Sequence, residues 1–229
     1  MKIKTTLFCI LFILITTVST STAQIQIGAK LGLNSTTLSS NNFNIEDITR
    51  DSLDLYFHEF TEFTETKYKF GLHAGAYAVF DFGMIKIVAE ALWSMKGAKN
   101  FGLNRNGNPS DIELHYLSIP ILANIDITDK LTIQAGPQVG IILNARQKTG
   151  RGGAANLDGR ITEDGDLSGI IGLKFQILNI GHLTARYELG LNPAFYLLTN
   201  QGERFEFNNR SFQIGFGIPL FSLSARLQP

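Results

Sequence analysis

His115 stands five residues after Ser110 and four after Asp111. A serine, a histidine and an acid within reach of one another are the parts of acyl-transfer chemistry, in which the histidine takes the serine's proton and the acid orients the histidine. Ser110 sits in a polar connection with no nucleophile motif around it, so no catalytic role is expected for it. Two other stretches, Asn156-Leu157-Asp158-Gly159 and Glu163-Asp164-Gly165-Asp166, set oxygen ligands beside glycines as calcium loops do. Their spacing matches no EF-hand, and Asp-Gly is also ordinary turn chemistry. Neither a metal site nor a cofactor is expected.

A third group is ionic. Lys30, Lys86, Glu90, Lys174, Arg186 and Glu188 all lie in stretches where apolar residues alternate with small or polar ones, always on the polar side. Such charges either line a wet path for an ion or small solute, or form a paired network in a closed interior. Lys86 and Glu90 are four apart on one stretch and Arg186 and Glu188 two apart on another, so the expected pairs run along each strand. Which reading applies depends on the elements that hold these residues.

Those elements are eight strands, because side chains on a strand point to opposite faces with period two. They are read at 25–34, 68–82, 84–95, 116–125, 131–144, 167–178, 183–192 and 211–221. In the fifth, for example, Leu131, Ile133, Ala135, Pro137, Val139, Ile141 and Leu143 oppose Thr132, Gln134, Gly136, Gln138 and Gly140. Tight turns fall at Asp81–Met84, Asp126–Lys130 and Asn179–Gly181. Long connections fall at about 35–67, 97–111, 145–166 and 197–210. Long and short connections alternating between strands of this length describe an antiparallel up-and-down β-barrel that crosses a membrane.

Periodicity alone does not say which face points inward. A soluble sandwich would put its apolar face inside and spread charge over its surface, yet only 17% of this chain is charged. Interleaved Gly, Gln, Lys, Glu and Arg suit the narrow lumen of an eight-stranded barrel, which side chains fill. Wider barrels are needed for an aqueous channel, so the six charges are expected to be a structural network.

The first 23 residues read as a secretory signal peptide: Lys2 and Lys4, an apolar run from Leu7 to Val18, then Ser21-Thr22-Ala23. The barrel domain is then 24–229. Cys9, the single cysteine, lies in that leader, so no disulfide or Cys-bound metal is expected in the mature chain. Removing Lys2 and Lys4 leaves 18 basic against 20 acidic residues, which gives no basic stripe for nucleic acid. The remaining histidines are His58, His73 and His182. The first long connection carries Phe43, Tyr56, Phe57, Phe60, Phe63 and Tyr68 among seven acids and three bases over 35–69. It reads either as a recognition surface or as an outward extension of the second strand.

Several segments together carry a family resemblance: Gly28-Ala29-Lys30-Leu31-Gly32-Leu33-Asn34, Gly71 to Phe80 before a tight turn, Tyr116-Leu117-Ser118-Ile119-Pro120, Gly136-Pro137-Gln138-Val139-Gly140 and Ile214-Gly215-Phe216-Gly217. Across the whole stretch after the leader the chain resembles the small PorT-like outer-membrane β-barrel family of Bacteroidota. The resemblance implies a barrel, not an activity, although the family's namesake is associated with a protein-secretion system. Such barrels usually end on an aromatic residue, whereas this chain continues from Ser222 to Pro229 after Phe221.

The expected function is non-catalytic: a structural, adhesion or assembly component acting through its outer loops. The alternatives are a narrow solute or ion pore and a lipid-modifying enzyme. The expected partners are outer-membrane lipid, the barrel assembly machinery and a protein at the outer loops. A protease added to intact cells is expected to cut within 35–67 or 145–166 and to spare Asp126–Lys130 and Asn179–Gly181. Cleavage at the short turns of unbroken cells would invert this topology.

Overall fold

Alternating residues give every strand one face for lipid and one for the interior, and the backbone follows that division. The computed structural model describes residues 24–40, 67–83, 85–103, 109–149, 154–156, 165–177, 180–198 and 204–224. The leader with Cys9, His58 and the aromatics from Phe43 to Phe63, and residues 157–164 of the calcium-like stretches, lie outside the described residues. The strands are β1 (Gln24–Ser40), β2 (Lys67–Asp81), β3 (Ile85–Leu103), β4 (Pro109–Asp126), β5 (Leu131–Thr149), β6 (Ala154–Asn156), β7 (Gly165–Ile177), β8 (Gly181–Gly190), β9 (Phe195–Leu198) and β10 (Arg204–Ser224).

Eight of them form an antiparallel ring in the order β1, β2, β3, β4, β5, β7, β8, β10, and β10 pairs back onto β1 from Gln24–Ser224 to Ser40–Phe207. The two short strands only flank it, β6 on β5 and β9 on β10. The closing ladder shifts register between Ile27 and Gly28, where Ile27 faces Phe221 and Gly28 faces Pro219. A bulge is where a strand tolerates a proline that has no N–H to give. At Pro120 the register does not shift: the β3–β4 ladder runs from Ala89–Ile121 to Leu92–Ser118 in one register, with a gap at the proline, which has no N–H to give.

The faces are inverted relative to a soluble protein. Leu31 is 61% exposed and its neighbour Lys30 only 3%. On β5, Ile133, Val139, Ile141 and Leu143 point out while Thr132, Gln134 and Gln138 are buried. The stretch from Ile133 to Leu143 covers about 34 Å of strand, which at a tilt of roughly 40° is an apolar band about 26 Å tall, the height of a bilayer's hydrocarbon. Among the described residues no helix is long and apolar enough to cross a membrane. The interior holds a small apolar cluster of Tyr77, Val88, Leu122 and Ile170, with Val79 against it.

The strands run further than their alternation suggests on the side of the long connections. β1 reaches Ser40, β3 reaches Leu103, β4 begins at Pro109, β5 ends at Thr149 and β10 begins at Arg204. Beyond the lipid neither face has to be apolar, so the period fades while the backbone ladder continues. Buried Thr36, Lys96, Asn208 and Asn209 belong to this polar extension. At the other end the turns are tight. Phe82 N donates to Ile85 O at 3.1 Å and Gly83 N to Asp81 Oδ1 at 2.8 Å. Gly83 has φ +89°, a left-handed conformation that glycine adopts without strain.

Ile121 is 44% exposed in mid-band on β4, and Ile127 is 55% exposed in the turn that follows. Ile121→Arg is expected to destabilise the refolded barrel by about 2–4 kcal/mol and Ile127→Arg by about 0–1 kcal/mol. Urea titrations in lipid vesicles measure both, and equal costs would overturn the assignment of the lipid face.

Candidate functional site

The lumen is crossed by two polar layers, each centred on a carboxylate. In the first, Glu90 of β3 is clamped between two cations. Arg186 of β8 donates through both terminal nitrogens to the two Glu90 oxygens at 2.8 Å, and Lys30 of β1 donates to the same oxygens at 3.2 Å. All three side chains are at most 2% exposed. A fork-to-fork pair of this kind fixes direction as well as charge. The same guanidinium continues the layer: Arg186 Nε donates to Gln134 Oε1 at 3.0 Å, and Gln134 Nε2 donates to Asn124 Oδ1 at 3.0 Å.

The second layer gathers on Glu188 of β8, which is fully buried. Lys96 of β3 pairs with its Oε1, which also accepts from Gln138 Nε2 at 2.8 Å and Ser168 Oγ at 3.0 Å. Gln213 Nε2 donates to Oε2 at 2.7 Å. The Lys96 ammonium also lies 4.9 Å from the centre of the Tyr116 ring. Asn209 donates to the Tyr116 hydroxyl at 3.0 Å and to Asp166, joining β4, β7 and β10. Further out, Asn34 donates to Ser94 Oγ at 2.8 Å, and its Oδ1 lies 2.6 Å from His73 Nδ1.

Of the six charges expected in the lumen, Lys30, Glu90 and Arg186 meet in the first layer and Glu188 anchors the second. Lys86 and Lys174 stand apart. Lys86 pairs with Asp126 at the short-turn end, with Asp81 at 3.9 Å, and Lys174 has no ion pair among the described residues. The expected same-strand pairs, Lys86 with Glu90 and Arg186 with Glu188, are therefore corrected. Residues four apart on a strand are separated by about 13 Å, and across so narrow a lumen a long side chain meets an opposite strand first. Lys96 and Asp166 were not among the expected charges. Lys96 has the parity of Glu90, Leu92 and Ser94, so one more step of the alternation reaches it.

Two carboxylates outside the apolar band also carry pairs. Burial pushes the Asp126 carboxyl up, but hydrogen bonds from Lys86 and Thr132 hold it below its ordinary value. Burial likewise raises Glu113, and the Lys148 bond at 2.8 Å with Lys69 at 3.5 Å brings it below its ordinary value. His115 Nε2 lies 3.3 Å from Glu113 Oε1, and the ring sits 5.5 Å from that of Trp93. Ser110 is five residues back along β4, about 17 Å of strand, so β4 does not bring the two together. Among the described residues no three His, Cys, Asp or Glu side chains gather as a metal site would require.

Removing ions from water costs several kcal/mol each, and only well-placed partners offset it. Glu90→Ala leaves two buried cations without their carboxylate and is expected to cost about 3–5 kcal/mol in vesicle refolding titrations. Glu90→Gln, which keeps one acceptor, is expected to cost less. Adding Lys30→Met to Glu90→Gln is expected to recover about 1–3 kcal/mol through their coupling. Near-native stability of Glu90→Ala would show instead that water screens these charges.

In structure the chain is similar to Ail, the attachment invasion locus protein of Yersinia pestis, solved with the heparin analogue sucrose octasulfate. That match is 13% identical, covers 87% of this chain and 100% of Ail, and has a TM-score of 0.44. It is also similar to Neisserial surface protein A, at 10% identity, 85% and 97% coverage and a TM-score of 0.50. At such identities the likeness concerns the fold. No curated protein matches the chain in sequence. A family model described as an outer membrane protein beta-barrel domain matches residues 19–196. The match takes in every barrel strand but β10, which closes the ring on β1. The chain belongs to the outer membrane protein beta-barrel domain family, and its place is the outer membrane.

Proposed function

We propose that this is a non-catalytic outer-membrane barrel with a side-chain-filled lumen, acting through its outer loops as a structural, adhesion or assembly and secretion component of the PorT-like kind. Residues 1–23 direct export as a cleaved signal peptide, and both ends of the 24–229 domain are periplasmic. The short turn at Asp126–Lys130 supports that orientation, because turns of this length face the periplasm in such barrels. The barrel assembly machinery inserts it, lipid surrounds it, and a protein partner meets the long connections.

The observation that carries this reading is the pair of cross-lumen layers. Lys30, Glu90 and Arg186 bridge β1, β3 and β8, and Lys96 and Glu188 bridge β3 and β8 again. An ion passing through would have to break bidentate bonds among groups at most 2% exposed. The purified barrel in planar lipid bilayers is expected to give no single-channel steps. A stable current whose ion selectivity changes in Glu90→Gln would establish the pore alternative.

A further inference from the structure

Between the first layer and the short turns lies a cavity of about 210 Å³ whose wall includes Tyr77, Asn124, Lys86, Lys174, Asp81 and Glu90. The direction of its hydrogen bonds is set from the far side of the lumen. Arginine has only donors, so Gln134 must offer Arg186 its oxygen and Asn124 its amide, and Asn124 must in turn offer its oxygen. The relay therefore ends in the Asn124 NH2 group, which lines the cavity and has no partner among the described residues. Asn124 is 1% exposed.

A second polar group points to the same need. The Tyr77 hydroxyl is buried and also without a partner. Its ring is braced edge-on by His182 at 5.3 Å and lies over Gly28, where a Cβ would come within 2.4 Å of the hydroxyl oxygen. Buried polar groups are seldom left unmatched, so two in one wall call for an occupant. The third group is Lys174, the lining cation with no ion pair among the described residues. Around the cavity Lys30, Lys86, Lys174 and Arg186 face Asp81, Glu90 and Asp126, four cations against three carboxylates. Both Asp126 and Asp81 already accept, from Lys86 and Thr132 and from Gly83 N.

We propose that this vestibule binds a small oxyanion, a carboxylate or a phosphate, entering from the side of the short turns and held by Asn124, Tyr77 and Lys174. What is unmatched there is two donors and one positive charge, the complement of an oxyanion. The volume is below the roughly 300–1,000 Å³ of pockets that hold drug-sized ligands, so the occupant is a small acid or the acidic end of a longer molecule. The site does not depend on whether the lumen conducts: bilayer currents test that, and binding tests this.

The experiment uses the folded full-length barrel in detergent micelles, isotopically labelled, with sodium phosphate and sodium acetate titrated at constant ionic strength. The expected result is a saturable shift of the Asn124 side-chain amide and the Tyr77 ring signals. Lys174→Gln is expected to weaken binding about tenfold. Lys174→Arg is expected to retain it, and Lys130→Gln, on the exposed turn, to leave it unchanged. Tighter binding of phosphate than of acetate assigns a phosphate ligand, and the reverse order a carboxylate. Shifts that do not saturate would mean that water alone fills the vestibule and would overturn the proposal. Equal weakening by Lys130→Gln and Lys174→Gln would overturn it too, as diffuse surface charge.

Discussion

In hydrocarbon no water is available to an unpaired N–H or C=O, and each such group costs several kcal/mol. The closing ladder between β1 and β10 therefore holds up everything else in this molecule. Without the run of pairs from Gln24–Ser224 to Ser40–Phe207, both strands would present an open edge to lipid. Closure with eight strands fixes the bore, and a bore of that size has no room for a column of water. The interior must be filled by side chains that reach one another across it.

The chain fills that space with opposed layers. Lys30, Glu90 and Arg186 carry a formal charge of +1, and Lys96, Glu188 and Asp166 carry −1. Each layer is thus incompletely neutralised by itself, and the two face each other along the axis. The first is completed by amides, which pass the surplus of donors from Arg186 through Gln134 to Asn124. The second is completed by donors to Glu188 from Gln138, Ser168 and Gln213. Surplus hydrogen-bond donors accordingly accumulate toward the short turns, where the vestibule and Lys174 lie.

Parity along the strands makes the inside and outside of this barrel readable in the sequence. Leu31 and Ile121 differ from Lys30 and Gln134 by position in a two-residue repeat, and burial follows that repeat. Strand ends were less legible, because the repeat is enforced only where lipid touches one face. β3 thus extends past Met95 to Leu103 through residues whose alternation is lost. Charges were legible as lumenal but their partners were not. Which strands meet across the bore depends on the stagger of the whole ring, and no window of sequence contains that. Ser110 and His115 show the same limit of a sequence window, since five residues of extended strand are about 17 Å in space.

Buried ions are a costly filling, and apolar residues would pack the same volume at less expense. What ions add is a distinction between the two faces. On β8, a slip of one residue would turn Arg186 and Glu188 to the lipid and Tyr187 and Leu189 to the lumen, because the side-chain period is two. An arginine alone at mid-bilayer costs about 2–4 kcal/mol, before its lost partners are counted. With an all-apolar chain the slipped and native registers would have similar faces and nothing would choose between them. The layers centred on Glu90 and Glu188 thus specify which way each strand faces, and they tie β1, β3 and β8 into one register although these strands are not neighbours in the ring.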